Sequence, residues 1–372
     1  MIADGTKCSG QGRRRSAAGV PTASLFVPLS PFLQGANPLP NVNLGLIGFG
    51  EWARGAYVPT LSTLDNVEVV AVAARSAATR QRAREMLGEA VATTADYREV
   101  LADASVDAVL VAVPNALHRE VAVAALAQGK HLFLELPIAL VRGDVRAVLD
   151  AATSADRLVQ FDFELRYLPV AQAVQRLVAR GDVGRPLSAS VDLSCNWGRG
   201  GGDFSDPLAR AAFYLWVGAW YLDMLDVLLG GLAPRGAQVT GIRAFNGPML
   251  DQGHALLEYD SGAVGRFSHS ILSPKVGTFV TGWLLGEEGE LVVDFQEGTL
   301  TKYSAAGSVN EGQHPPKRPV HGWAGMRESL ESFVSAVGEG TPVVADAEVA
   351  RRVHEAAFAC HEADQRARGE RE

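Results

Sequence analysis

The stretch Val42-Asn-Leu-Gly-Leu-Ile-Gly-Phe-Gly-Glu-Trp-Ala53 constrains this chain more than any other. Its apolar run, Leu44, Leu46 and Ile47, stops at Gly48-Phe49-Gly50, and Glu51, Trp52 and Ala53 open a helix-like segment. The pattern is therefore G-x-G-x-x-A at a strand-to-helix turn. Gly48 permits the tight turn, Gly50 has no Cβ to hold a pyrophosphate off the main chain, and small Ala53 lets helix and strand pack closely. Phosphates then sit at the positive end of the helix. A glycine-rich turn in some other α/β protein carries similar letters. Here, however, Val67 to Ala73 comes about 20 residues later as a second buried strand, as a dinucleotide-binding unit requires.

The residues just past that second strand bear on the choice of cofactor. NAD-binding folds usually place Asp or Glu there for the ribose 2′-hydroxyl, whereas a 2′-phosphate calls for positive charge and no carboxylate. Ala74-Arg75-Ser76, with Arg80 one helical turn on, favours NADP while leaving NAD possible; the plainer alternative is that Arg75 is an exposed loop residue. Val106 to Val113 supplies a further parallel-type strand, which stops at Pro114-Asn115-Ala-Leu-His118 ahead of an Ala-rich helix. Asn115 and His118 thus stand where open α/β sheets bind ligands, although Asn115 also suits a helix cap. The next strand, His131 to Glu135, ends in Glu135-Leu136-Pro137.

A chain of 372 residues has room for two cores. Its net charge of −8 argues against a nucleic-acid partner, and no apolar run is long enough to span a bilayer. Cys8, Cys195 and Cys360 fit neither a disulfide framework nor a metal spacing, so no metal and a reducing cytoplasm are expected. His354 and His361 lie in a polar C-terminal stretch and are expected to be solvated, and His254 and His269 to be satisfied sheet residues. Residues 1–41, rich in Gly, Ser, Pro and Ala around Arg13-Arg14-Arg15, suit a disordered extension. A twin-arginine export signal is the alternative, but Pro21, Pro28 and Pro31 break the apolar stretch behind the arginines.

Beyond about Gln160 the pattern changes. Leu187 to Leu193, Gly253 to Tyr259, Ala263 to Ile271, Thr278 to Leu285 and Glu290 to Phe295 alternate or run apolar at strand lengths between Gly-rich turns. Met326 to Val337 and Glu348 to Ala363 have helical periodicity.

Taken together, G-F-G-E-W-A, V-P-N-A-L-H and G-K-H-L-F-L-E-L-P-I-A-L resemble the Gfo/Idh/MocA family, named for glucose-fructose oxidoreductase and inositol dehydrogenase. The likeness continues through F-D-F-E-L-R-Y-L-P at 161–169, G-D-V-G-R-P at 181–186, Gly262-Ala-Val-Gly and Gly286-Glu-Glu-Gly-Glu-Leu-Val-Val-Asp294, covering nearly all of the chain from Val42. The resemblance implies an α/β chain: an N-terminal Rossmann domain over 42–160, then an α+β domain over 161–345 with an open, mostly antiparallel sheet. Residues 346–372 would form a C-terminal helix packing back toward the Rossmann domain. It also implies a homodimer or homotetramer built through the outer face of that sheet.

Family members that act on polyols and sugar ketones carry E-K-P and D-x-x-x-H, whose Lys, Asp and His handle the proton accompanying hydride transfer. By that resemblance this chain has Leu136 at the lysine position, Trp216 at the aspartate and Trp220 at the histidine. Proton transfer needs titratable groups, so the usual mechanism cannot run on these side chains. Glu135 and Pro137 match cofactor-side residues, Asp223 a second acidic position, and Arg166 an arginine suited to gripping carboxylates or hydroxyls. Tyr221, Asp223, Glu164 and Asp162 are candidate replacements for the missing acid, while Trp197, Trp216, Trp220 and Trp283 offer faces for stacking on a ring.

The expectation is an NADP-dependent (NAD possible) oxidoreductase acting on a small sugar-like or cyclic carbonyl or alcohol, with an atypical proton donor. A non-redox dinucleotide or metabolite sensor is the alternative, and a lyase or glycosidase using a bound nicotinamide is a third.

Overall fold

The computed structural model describes residues 41–199, 210–245, 247, 249–275, 277–317 and 323–369. The extension expected over 1–41 lies outside them, Asn41 excepted.

Six strands, β1 (Val42–Ile47), β2 (Val67–Ala73), β3 (Ala92–Thr94), β4 (Ala108–Val111), β5 (His131–Leu134) and β6 (Val159–Phe161), form a parallel sheet in the order β3-β2-β1-β4-β5-β6. That is the Rossmann order, which reverses direction beside β1 and opens a crevice above the glycine turn. β4 and β5 are almost wholly apolar because helices cover both faces. On one side Val121, Ala125, Val145 and Val148 of the helices His118–Ala127 and Arg142–Ser154 pack against Val109, Val111 and Leu132. The other side is covered partly from far along the chain: Leu330, Phe333 and Val334 of the helix Met326–Glu339 pack with Leu44, Leu46 and Phe133.

The second sheet has eight strands in the order β14-β13-β12-β11-β7-β10-β9-β8. Their ranges are β7 Pro186–Cys195, β8 Pro234–Ile242, β9 Gln252–Tyr259, β10 Val264–Ser270, β11 Thr278–Gly286, β12 Gly289–Asp294, β13 Thr299–Ser304 and β14 Gly307–Gln313. Among its described residues only β7 and β10 pair in parallel. The five strands expected from alternation are present; β8, β13 and β14 are additional. Pro234, Gly236 and Gly241 interrupt the alternation of β8, and β14 is exposed along most of its length, so neither carries a buried face to read.

The inner face, including Val191, Leu193, Leu257, Phe267 and Leu284, packs with residues of the helix Gly218–Leu229 in one core. That helix is buried nearly all round, its mostly apolar sequence broken by Asp223 and Asp226, which are buried with it. The opposite face exposes Leu256, Phe279, Leu285, Val292 and Tyr303.

The helix Ala347–Ala367 joins both regions. Glu355 and Glu362 accept from Arg142 of the Rossmann helix, and Asp364 pairs with Arg243 beyond β8. His354, expected to be solvated, is instead 1% exposed, edge-on to Phe163, with Nδ1 bonded to the Ala350 carbonyl. The polar letters around it belong to the helix's outer face. His269 is buried as expected, with Nε2 on the Leu250 carbonyl and its ring stacked on Phe213.

Candidate active site

Three of the parallel strands deliver their carboxyl ends to one region, β1 through Gly48, β5 through Glu135 and β6 through Asp162. Gly48 has φ +98°, and a Cβ there would stand 2.3 Å from the Ala112 carbonyl oxygen, so only glycine fits. Its N–H donates to Ala73 O at 3.0 Å, fastening the turn to β2. A Cβ on Gly50 would meet nothing within 4 Å; the main chain there borders open space, the cradle that a pyrophosphate needs. Phe49 is buried in the core and offers the crevice only its main chain, while Glu51 is exposed beside it and Trp52 half-buried.

Past β2, Ser76 caps the next helix by accepting from Thr79 N at 3.0 Å. Arg80 donates to the carbonyls of Ala74 and Arg75, bracing a loop on which Arg75 stands exposed. Pro114 and half-buried Asn115 come after β4, and the Asn115 side chain caps no helix.

His118 departs from expectation. It is wholly buried, with Nδ1 and Nε2 each 2.8 Å from a carbonyl, of Pro137 and Val113. Burial lowers its pKa. The one N–H of the neutral ring donates to one of these carbonyls while the other nitrogen faces the second, so His118 sits between the loops after β4 and β5 and turns neither nitrogen toward a cofactor.

Beyond the crevice lie three carboxyl groups. Asp162 accepts from Tyr57 Oη at 2.7 Å and from Ser329 Oγ at 3.1 Å, and Ser329 is held in turn by Gln160 Nε2 at 3.0 Å. Burial pushes Asp162 up to about 7. Glu164 is buried, and its Oε2 accepts from the Trp220 indole N–H at 2.5 Å; the same N–H lies 3.0 Å from the Asp162 carbonyl. Burial, and then the Asp162 charge, drive Glu164 well above the carboxylate range. Glu135 is raised in the same way by burial and by both neighbours, opposed by its hydrogen bond from Leu136 N and by the Trp52 indole. Three like charges in one desolvated space repel one another, so each of these carboxyls holds its proton to a higher pH than a solvated one does.

The position implied for the catalytic lysine is buried, apolar Leu136. Trp220, at the implied histidine position, serves instead as a donor fixing Glu164. Half-buried Trp216 packs against the main core.

Arg166 and Asp223 are brought together, but with each other. Nε and Nη2 of Arg166 lie 2.9 and 2.5 Å from Asp223 Oδ1, and Nη2 lies 2.7 Å from Asp226 Oδ2. Asp226 accepts also from Arg352 of the C-terminal helix at 2.9 and 3.2 Å. Two cations and two acids thus cancel inside the protein, and Arg166, 4% exposed, is not available to grip a ligand as expected. Tyr221 stacks on Phe267 with centroids 5.9 Å apart, and burial raises its hydroxyl well above 10, which makes it a weak acid.

The tryptophans divide between two places. Trp283 is on the outward face of the sheet, bonded to Glu290, and takes no part in the chamber. Trp197 meets Trp323 at 5.7 Å, and Trp323 meets Trp52 at 5.9 Å, a run of edge-to-face indoles that ends beside Glu135. Sequence reading missed Tyr57, Gln160, Ser329 and Trp323. Tyr57 lies in a π-helical turn, Ala53–Tyr57, a local widening found at many functional sites, but neither Trp323 nor Ser329 carries a signal short of the fold.

Residues 42–163 match the family described as "Oxidoreductase family, NAD-binding Rossmann fold", and residues 171–300 match the GFO/IDH/MocA C-terminal domain. D-xylose 1-dehydrogenase (NADP(+)) 2 of Haloferax volcanii is 27% identical over 305 residues, 81% of this chain and 90% of that protein. The scyllo-inositol 2-dehydrogenase (NAD(+)) of Bacillus subtilis is 25% identical over 263 residues, 68% of this chain and 73% of that one. Among solved structures, levoglucosan dehydrogenase in complex with NADH and levoglucosan superposes with a TM-score of 0.72 at 21% identity, covering 88% of this chain and 98% of that one. A parallel sheet in the Rossmann order followed by a second, mostly antiparallel sheet, a glycine turn bordering open space and matches to both family domains lead to one conclusion: the chain belongs to the Gfo/Idh/MocA family and is an NAD(P)-dependent oxidoreductase.

Proposed function

We propose that the protein transfers hydride between NADP(H), with NAD(H) possible, and a sugar-like or small cyclic carbonyl or alcohol, and that Glu164 carries the accompanying proton. The nicotinamide, when bound, supplies or accepts the hydride. In reduction Glu164 gives its proton to the carbonyl oxygen; in oxidation it takes the hydroxyl proton back. The observation that carries this reading is the cluster of Glu135, Asp162 and Glu164 at the ends of β5 and β6, beside buried Leu136, where burial and mutual repulsion raise all three carboxyls. Asp162 accepts from both Tyr57 and Ser329, and Asp223 is ion-paired to Arg166, whereas Glu164 accepts from Trp220 through Oε2 alone, which favours it among the candidate acids. Trp220 fixes its carboxyl, and Trp216 is kept as a packing wall of the substrate side.

Gly48, Phe49, Gly50, Glu51 and Trp52 would hold the pyrophosphate side, Arg75, Ser76 and Arg80 the 2′-phosphate, and Pro114, Asn115, Glu135 and Pro137 the nicotinamide end. By this reading residues 42–160 bind cofactor and 161–345 substrate, with the exposed apolar face of the second sheet as a subunit interface. Relatives named for xylose and scyllo-inositol support the substrate class.

A sensor without redox chemistry is the second reading, favoured by buried Leu136 where a lysine is expected. The test is titration with NADPH and NADH by fluorescence, then a panel of keto-sugars, imines and cyclitols followed at the reduced-nicotinamide absorbance. Turnover that collapses in Glu164→Gln supports the oxidoreductase; tight NADPH binding without turnover on any member supports the sensor.

A further inference from the structure

The two oxygens of Asp162 are held by hydroxyl groups that come from far apart in the chain. Tyr57 Oη donates to Oδ2 at 2.7 Å, and Ser329 Oγ donates to Oδ1 at 3.1 Å. Both donors are fixed. Tyr57 is wholly buried and stands edge-on to Phe133 and Trp52, while Ser329 Oγ accepts from Gln160 Nε2 at 3.0 Å, which directs its own proton at Asp162. Glu164 is held differently: the Trp220 indole N–H reaches its Oε2, and Asp162 and Asp223 press on it as like charges. Hydrogen bonds donated to a carboxylate favour its charged form, so Asp162 ionises ahead of Glu164. Burial lifts Asp162 only to about 7, whereas Glu164 is driven well above the carboxylate range by burial and then by the Asp162 charge. The nearby guanidinium, Arg166, is bound to Asp223 and Asp226.

We propose that Tyr57 and Ser329 are positioning residues of the reaction: they hold a negative charge on Asp162, and that charge keeps on Glu164 the proton destined for the substrate. This rests on the oxidoreductase reading and deepens it. Both hydroxyls act through Asp162. The groups facing Asp162 and Glu164 from the surrounding elements are Tyr57, Glu135 after β5, Tyr167 on the short helix Glu164–Tyr167, and Tyr221 and Asp223 on the helix Gly218–Leu229. All of them are acids, so taking the charge off Asp162 relieves Glu164 of a close negative neighbour, and Glu164 then gives up its proton at lower pH. Tyr57 ends the π-helical turn begun at Ala53, the last letter of the G-x-G-x-x-A pattern, which ties the acid to the segment proposed to hold the pyrophosphate.

The experiment follows the C=O stretch of protonated carboxyls in the full chain by infrared difference spectroscopy as pH is raised, the Glu164 band being assigned by its loss in Glu164→Gln. The pH profile of kcat for NADPH-driven reduction is measured beside it. Asp162→Asn is expected to move the disappearance of the Glu164 band to lower pH by about one unit or more, and Tyr57→Phe and Ser329→Ala each in the same direction by about half a unit. The falling limb of kcat moves with the band while KM stays unchanged. Thermal melts identify the folded variants, and Tyr57→Phe carries the test where Asp162→Asn does not fold. If the Glu164 band and the limb stay in place in the folded variants, or move to higher pH, the inference is overturned. A band that moves as expected in a protein that turns over no member of the substrate panel supports the placement of the proton and counts against the oxidoreductase reading instead.

Discussion

The glycine crest and the acid chamber stand at the same end of one sheet and are built in opposite ways. At the crest the geometry depends on side chains that are missing: Gly48 holds φ +98° against the Ala112 carbonyl, and Gly50 leaves open space. The chamber instead gathers side chains from five segments, Tyr57, Glu135, the pair Asp162 and Glu164, Trp220, and Ser329. A main-chain site is written in consecutive letters and tolerates little change. An electrostatic site is a sum over neighbours, so an apolar Leu136 and an indole at 220 can replace ionisable groups while burial supplies the protonation.

The sharpest challenge to this contrast comes from Glu164→Gln. Loss of the proton carrier is expected to lower kcat by roughly 10²- to 10⁴-fold with NADPH affinity unchanged, seen by steady-state kinetics beside fluorescence titration. The same acid sets the pH sense: reduction needs the protonated form and falls as pH rises through the upper apparent pKa of the cluster, whereas oxidation gains over that range. Opposite slopes in the two directions check it.

At the crest, Gly48→Ala places a methyl in the Ala112 carbonyl and an L-residue at a strained φ. A loss of at least about 2 kcal/mol in stability, together with loss of dinucleotide binding, is expected in thermal melts and titration. Arg75→Asp leaves the fold alone; NADPH binding should weaken by about 10- to 100-fold while NADH binding does not, and an unchanged preference would remove Arg75 from the cofactor site.

The smallest effect concerns stability. Because Glu135 has a folded pKa raised above its unfolded value, the folded state binds the proton more tightly, and stability is lost as pH rises above the unfolded value. Glu135→Gln removes that loss. It should gain on the order of 0.5–2 kcal/mol at about pH 8 and nothing at about pH 4, by melts at the two pH values.

Read as letters alone, the chain already carries the two sheets, the dinucleotide crest and the family. Strand alternation and the strand–glycine–helix word are local patterns, and β8 and β14 escaped because Gly and Pro or full exposure leave no period to read. The roles of the polar residues were settled in three dimensions. Arg166, Asp223 and His118 look ready for ligands as letters, yet they are consumed by Asp226, by one another and by main-chain carbonyls. Glu135, read as a cofactor-side residue, also stands with Asp162 and Glu164, whose charges raise it, and no spacing in the letters shows that. Charge coupling and desolvation depend on which groups meet through space, and the chain between Tyr57 and Ser329 must fold before Asp162 has either partner.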